Sequence, residues 1–335
     1  MVNIFIFIIF FLFLILYQGK SQLIGEKLGL QDSPGENKIH KKNTALIGGF
    51  PVVFFVIIFM IFNYSNLEET LIFIISISII FFLIGLVDDK INLNPYLKLF
   101  LSLIIFLISI FFFEDLVVNK IFSEQLDKHF LLKDLSYPVT ILCLLLLLNA
   151  VNLSDGINGL TCGLISIWSF FLTFYVDGTA KYFFLSLSLI LIINTFFIYK
   201  GKYFLGNSGA LFLGSLIGFS TIYLYNINYS SGYQFGIEKI FIMFMVPGID
   251  MFRLFLIRII NKKNPFSRDL NHLHHLLINK YSLKSSLLIY FSFIIVSSLL
   301  THLEIINSIL IILVYSTVYI FYIFFSQKKF KKTSY

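Results

Sequence analysis

Residues Leu71 to Lys90 read LIFIISISIIFFLIGLVDDK, seventeen residues without a charge that end abruptly in two aspartates and a lysine. As a helix, that charge-free run is about 25 Å long, close to the hydrocarbon thickness of a bilayer. The pattern recurs along the chain. Apolar stretches at roughly 3–17, 46–62, 71–87, 97–113, 138–153, 157–176, 182–198, 209–225, 239–259, 285–300 and 305–325 predict eleven spans. Composition agrees: of 335 residues, 58% are hydrophobic and 13% charged, 42 are Phe, and the mean hydropathy is +0.90. Eleven spans leave no length for a large extramembrane domain, so the expected fold is an all-α polytopic membrane protein. Chemistry must be built from short loops and span ends.

Charge orients the spans. The first span lacks a basic leader region and a small-residue cleavage site, and reads as a retained span with the N-terminus outside. The odd-numbered loops and the C-terminal tail then hold 20 of the 25 Lys and Arg, among them Lys38, Lys41, Lys42, Lys262, Lys263, Arg268 and Lys328. The positive-inside rule places these loops and the C-terminus in the cytoplasm. The long outer loop from Glu114 to Tyr137 is net acidic. With this topology, the net charge of +7 is a matter of orientation and supports no nucleic-acid partner. Cys143 and Cys162 both lie in apolar segments and form neither a disulfide framework nor a metal spacing. No repeat of fixed period is visible.

With sides assigned, the unusual polar clusters share the cytoplasmic face and predict one composite site. Asp88 and Asp89 are adjacent at a helix end, so their side chains diverge by about 100°. One can handle a proton or attack while the other steadies a cation or its neighbour. In NAVNLSDGINGL, residues 149–160, Asn149 and Asn152 share a helical face leading to Asp155. Asn side chains at a span end are costly unless partnered, so a ligand is expected, the alternative being helix-helix hydrogen bonding. The GNSG run from Gly206 opens the eighth span. Its amides can receive a phosphate at the positive end of the helix, or Asn207 or Ser208 can simply cap it. In the ninth span, Pro247-Gly248 predicts a kink, and Asp250 and Arg253, at i,i+3, predict an internal ion pair. Arg258 can reach the headgroups from the same span. His272, His274 and His275, beside Arg268, suit the positioning of phosphates and the stabilisation of developing charge. Zinc is not expected there, because no Cys accompanies them.

Five motifs, in this order, resemble those of the polyprenyl-phosphate N-acetylhexosamine-1-phosphate transferases: KIHKKNTALIGG (38–49), GLVDD (85–89), NAVNLSDGINGL (149–160), KYFLGNSGALFLG (202–214), and PGIDMFR (247–253) through PFSRDLNHLHH (265–275). The resemblance covers most of the chain, and the H-x-H-H form resembles the GlcNAc-1-phosphate branch. It implies a single transmembrane transferase domain whose cytoplasmic site is formed by loops near 38–49, 88–98, 149–159, 199–209 and 260–284. It implies a bacterial inner-membrane enzyme that transfers a sugar-1-phosphate from a UDP-N-acetylhexosamine to a polyprenyl (undecaprenyl) phosphate and releases UMP, as the first membrane step of cell-envelope polysaccharide, lipopolysaccharide or O-antigen synthesis. Magnesium is implied as cofactor, with manganese as an alternative, and a homodimer is admitted.

Carried over by motif, Asp88 is the candidate base or nucleophile and Asp89 its partner, while His272, His274 and His275 hold phosphates. Lys42, Asn149, Asp155, Asn158, Gly206, Ser208 and Arg268 form the substrate-binding set, and Asn152 and Asn207 the metal ligands. Two departures stand out. Asn207 replaces the family's metal-binding aspartate and offers one neutral oxygen where a hard cation favours a carboxylate. Residues 199–201 lack the family's Pro-Ala. A second class of function therefore stays open, a relative that binds nucleotide sugar or lipid phosphate without efficient catalysis. A transporter would be expected to line a mid-bilayer path with charge, and here most acidic residues lie in loops.

Overall fold

In the computed structural model, residues 2–34, 43–231, 235–262 and 271–330 are described. They are helical but for two antiparallel two-stranded sheets and one isolated bridge. Nine helices among them are long and apolar enough to cross a membrane, and two further apolar helices, Leu160–Tyr175 and Ser308–Phe324, are shorter. The chain is a multi-pass membrane protein. Its helices group into two compact units, one of Met1–Asn119 with Leu132–Tyr233, the other of Lys120–Leu131 with Gln234–Tyr335.

The first unit begins with α1 (Val2–Leu28), well beyond the expected end near residue 17. It runs through Gly19 and Gly25 and ends at Gly29, whose φ of +66° lets Leu30 N–H reach back to the Gly25 carbonyl at 2.8 Å and close the helix. Strands β1 (Gln31–Asp32) and β2 (Thr44–Ala45) follow, then α2 (Gly49–Asn63), α3 (Glu69–Ile91) and α4 (Pro95–Phe112). Asn94 caps α4 by accepting from the Tyr96 amide, with Pro95 at the first position, where its missing N–H costs nothing. After α5 (Ser136–Ser154), α6 (Leu160–Leu172) and α7 (Gly178–Tyr199) comes α8 (Gly206–Ser231), the centre of the unit, with 89% of its span buried. Aromatic edges build this core. The Phe106 ring of α4 lies 5.1 Å from Phe81 on α3 and 5.4 Å from Phe219 on α8.

The second unit holds α9 (Ile237–Ile260), the short α10 (Leu273–Ile278), α11 (Leu283–His302) and α12 (Ser308–Phe330). Helix α9 runs through Pro247 without a break in helical assignment. The loop from Glu114 to Tyr137 contains a hairpin, β3 (Lys120–Ser123) with β4 (Lys128–Leu131), turned at Asp127 in the left-handed region that Asp tolerates. Glu124 ties this hairpin to the start of α9, pairing with Lys239 at 2.9 Å and accepting from the Gly236 amide.

Candidate functional site

In the first unit, backbone close approach positions the charges. A Cβ on Gly85 would lie 2.3 Å from the Ser208 Cα and 2.6 Å from the Asn207 carbonyl oxygen, so α3 and α8 touch main chain to main chain there. Gly49 and Gly209 make the same contact between α2 and α8. Asp89 is four residues beyond Gly85 and shares its face. Its carboxylate lands on the first turn of α8, where it accepts from the Asn207 amide at 2.8 Å and the Ser208 amide at 3.0 Å. Gly206, at φ +79°, is needed twice, for its backbone and because a Cβ would sit 2.8 Å from Asp89 Oδ2.

The start of α8 is thus capped by a carboxylate from another helix. The cap is neither Asn207 nor Ser208, and two of the amides that could receive a phosphate are already taken. Ser208 itself is 0% exposed and lies at the α3–α8 junction. Asp88 turns the other way, as adjacent helical positions require. Its Oδ1 accepts from the Leu93 amide at 2.8 Å and its Oδ2 pairs with Lys98 of α4 at 2.9 Å.

The segment before α8 is zippered to the segment before α2. Phe204 N–H donates to Ala45 O at 2.8 Å, and Gly48 N–H to Phe204 O at 2.8 Å. Buried Asn194 of α7 closes the join, donating to Gly48 O at 2.9 Å and accepting from the Tyr203 hydroxyl at 2.6 Å. Two of the expected loops, 38–49 and 199–209, are therefore neighbours. The basic part of the first, with Lys38, Lys41 and Lys42, lies outside the described residues.

At the end of α5, Asn149 turns its amide back to the Leu145 carbonyl at 2.8 Å. The Asn152 Oδ1 is buried and accepts no hydrogen bond from the described residues. Asp155, one turn further on, keeps some surface but is densely surrounded. Burial pushes its carboxyl well above the usual carboxylate range, as does the nearby Asp89 charge, while the Gly206 amide opposes both. Asn158 is half-buried in the turn before α6. Among the described residues no group of three or more His, Cys, Asp or Glu could hold a metal. The orphaned Asn152 oxygen is of the kind that a hard cation takes.

In the second unit, Asp250 of α9 is a hub. It pairs with Arg253 at 2.9 Å, as its spacing predicts, and accepts from the Tyr319 hydroxyl of α12 at 2.6 Å and from the Leu273 amide at 3.1 Å. It also meets His272 Nδ1 at 2.8 Å. His272 precedes α10, and its ring lies 5.4 Å from that of His274 and nearly parallel to it. His275 follows, 4.3 Å from His274. Burial holds the His274 imidazole well below its ordinary value, and the neighbouring His275 and His272 act the same way. The Nε2 atoms of His272 and His274 and the Nη1 of Arg253 are buried without a hydrogen-bond partner among the described residues. Arg258 is 7% exposed, so the expectation that it extends to the headgroups is corrected: it packs inside. Arg268 and Lys263 lie outside the described residues.

The profile of glycosyl transferase family 4 matches residues 70–225. A probable undecaprenyl-phosphate N-acetylglucosaminyl 1-phosphate transferase of Bacillus subtilis is 30% identical over 76% of this chain and 71% of its own length. The chain belongs to glycosyl transferase family 4. Undecaprenyl-phosphate alpha-N-acetylglucosaminyl 1-phosphate transferases of Thermotoga maritima and Escherichia coli K12 are 26% and 24% identical, each over 83% of this chain and over 83% and 75% of their own lengths.

Within this family 4 chain, sequence reasoning missed Lys98, Tyr319 and the tie between Asp250 and His272. Lys98 had a signal, since it is the next cation after the DDK run that ends at Lys90 and follows an Asn-Pro helix start. Tyr319 had none, because it is one tyrosine in a uniformly apolar helix.

Proposed function

We propose that this protein transfers an N-acetylhexosamine-1-phosphate, with GlcNAc as first choice, from its UDP-linked form to undecaprenyl phosphate. An oxygen of the lipid phosphate attacks the β-phosphorus, the bond to the UMP oxygen breaks, and UMP leaves. What supports the reading is the set of buried nitrogens around Asp250, namely His272 Nε2, His274 Nε2 and Arg253 Nη1, which have no hydrogen-bond partner among the described residues and are of the kind that meets phosphate groups. The names of the family 4 relatives support the chemistry. Asp88 is the candidate for the proton or the attack, with Lys98 beside it, and Asp89 anchors the start of α8. Asn152 and Asn207, with Asp155, would hold Mg²⁺ (or Mn²⁺), which when bound supplies charge neutralisation at the diphosphate. Charge asymmetry supports an inner-membrane orientation with these loops, including Lys42, in the cytoplasm.

The test is UMP release from UDP-GlcNAc and undecaprenyl phosphate with Mg²⁺ titrated, for wild type and Asn207→Asp together. Mg²⁺-dependent release is expected from both, with the variant saturating at lower Mg²⁺ because it restores a charged ligand. Silence from both with every UDP-N-acetylhexosamine overturns the proposal. Activity in Asn207→Asp alone would mark a relative that lost catalysis through its metal ligand.

A further inference from the structure

The contact between Asp250 and His272 joins two motifs twenty-two positions apart, and its geometry is specific. A carboxylate oxygen 2.8 Å from Nδ1 binds an imidazole that carries its proton on that nitrogen. The other ring nitrogen, Nε2, is buried and has no partner among the described residues. Asp250 is itself held from four directions. Arg253 lies one turn along α9, the Tyr319 hydroxyl comes from α12, and the Leu273 amide opens α10 behind His272, which completes the ring of contacts. The Tyr319 oxygen in turn accepts from Arg253 Nε at 2.8 Å, and Arg253 Nη2 reaches the Asn271 carbonyl at 2.6 Å. An ion pair within α9 alone would need only Arg253 and Asp250. Here the carboxylate is braced by one neighbour on its own helix and one on the last helix, and its second oxygen is spent on a histidine.

We infer that Asp250 is a positioning residue for His272: by accepting the Nδ1–H hydrogen bond it sets the tautomer and ring plane, leaving Nε2 to accept from a protonated phosphate oxygen, or to donate to an anionic one once the ring has taken a second proton. This deepens the proposed function and rests on it for the identity of the ligand. Tyr319 and Arg253 keep the carboxylate from rotating, so the last membrane helix contributes to the orientation of a residue in the HLHH motif. The arrangement follows the general rule that a working histidine donates its idle ring N–H to a carboxylate.

The test reads the tautomer before it reads turnover. In full-length protein with ¹⁵N-labelled histidine in lipid nanodiscs, the His272 signals, assigned by their loss in His272→Gln, should show a protonated Nδ1 in the wild type. A wild-type His272 with the proton on Nε2 and a bare Nδ1 overturns the inference, whatever the enzyme does. Asp250→Asn should redistribute the tautomers and lower kcat about 10- to 100-fold, with the KM for the UDP-sugar little changed. Asp250→Glu should restore much of that loss, and Asp250→Asn with His272→Gln should be no worse than His272→Gln alone. Independent, multiplicative losses in the double variant would overturn the inference, as would unaltered His272 signals in Asp250→Asn. If wild type shows the expected tautomer but releases no UMP, the transferase reading fails and the positioning contact stands.

Discussion

Replacing Gly85 by Ala adds one methyl group to α3 at the place where the helix touches α8. That methyl would lie 2.3 Å from the Ser208 Cα, 2.5 Å from its nitrogen and 2.6 Å from the Asn207 carbonyl oxygen. All three are main-chain atoms, so no side-chain rotation relieves the contact. Ordinary carbon contacts begin near 3.5 Å, so the helices must part by about 1 Å. The same displacement stretches the 2.8 and 3.0 Å bonds from Asp89 to the Asn207 and Ser208 amides beyond hydrogen-bond range. Two charge-assisted bonds at about 1.5–3 kcal/mol each, with about 1–3 kcal/mol for overpacking, amount to a large fraction of an ordinary stability margin. We expect Gly85→Ala to lower the Tm in detergent by many degrees and to abolish UMP release at temperatures where wild type is active. Gly19→Ala is the control, since no neighbouring atom lies within 4 Å of its new methyl. A Gly85→Ala protein with wild-type Tm and turnover would refute the claim that α3 and α8 meet at backbone contact.

Two further predictions follow from buried charge. Lys98→Ala leaves Asp88 buried without its cation and should cost about 3 kcal/mol; combining it with Asp88→Asn should cost less than the sum of the single changes, and strict additivity of the measured stabilities would remove the pair. His274 is held neutral by burial, so its folded-state pKa lies below its unfolded value. Its contribution is complete above about pH 6.5 and is lost as pH falls from there toward the folded value, by at most about 1.4 kcal/mol per pH unit. Thermal melts between pH 7.5 and 5.5 should therefore fall more steeply for wild type than for His274→Gln, and equal slopes would count against a neutral buried imidazole.

The apolar periodicity was enough to read the helices, because in a bilayer length and charge-free runs decide what spans. It was silent where ends depend on distant partners. Helix α1 continues through Gly19 and Gly25 to Leu28, and the hairpin of Lys120–Leu131 is made worthwhile by Glu124 reaching Lys239 and the Gly236 amide, more than a hundred residues away. The candidate polar residues were legible for the same reason: Asp88, Asp89, Asp155 and the histidines are conspicuous in a chain with so few charges.

By itself the sequence determined the number and kind of apolar segments, the divergence of Asp88 from Asp89, and the family motifs in their order. Only the tertiary structure decided what each polar atom binds. Asp89 was free in sequence terms to meet a ligand, yet Gly85 brings the backbone of α8 so close that its carboxylate becomes that helix's cap. Asp250 looked committed to Arg253, yet its second oxygen orients His272 while Tyr319 braces the first. A hydrogen bond depends on position within tenths of an ångström, and positions that fine are set by which backbones can touch, a property no single helix carries.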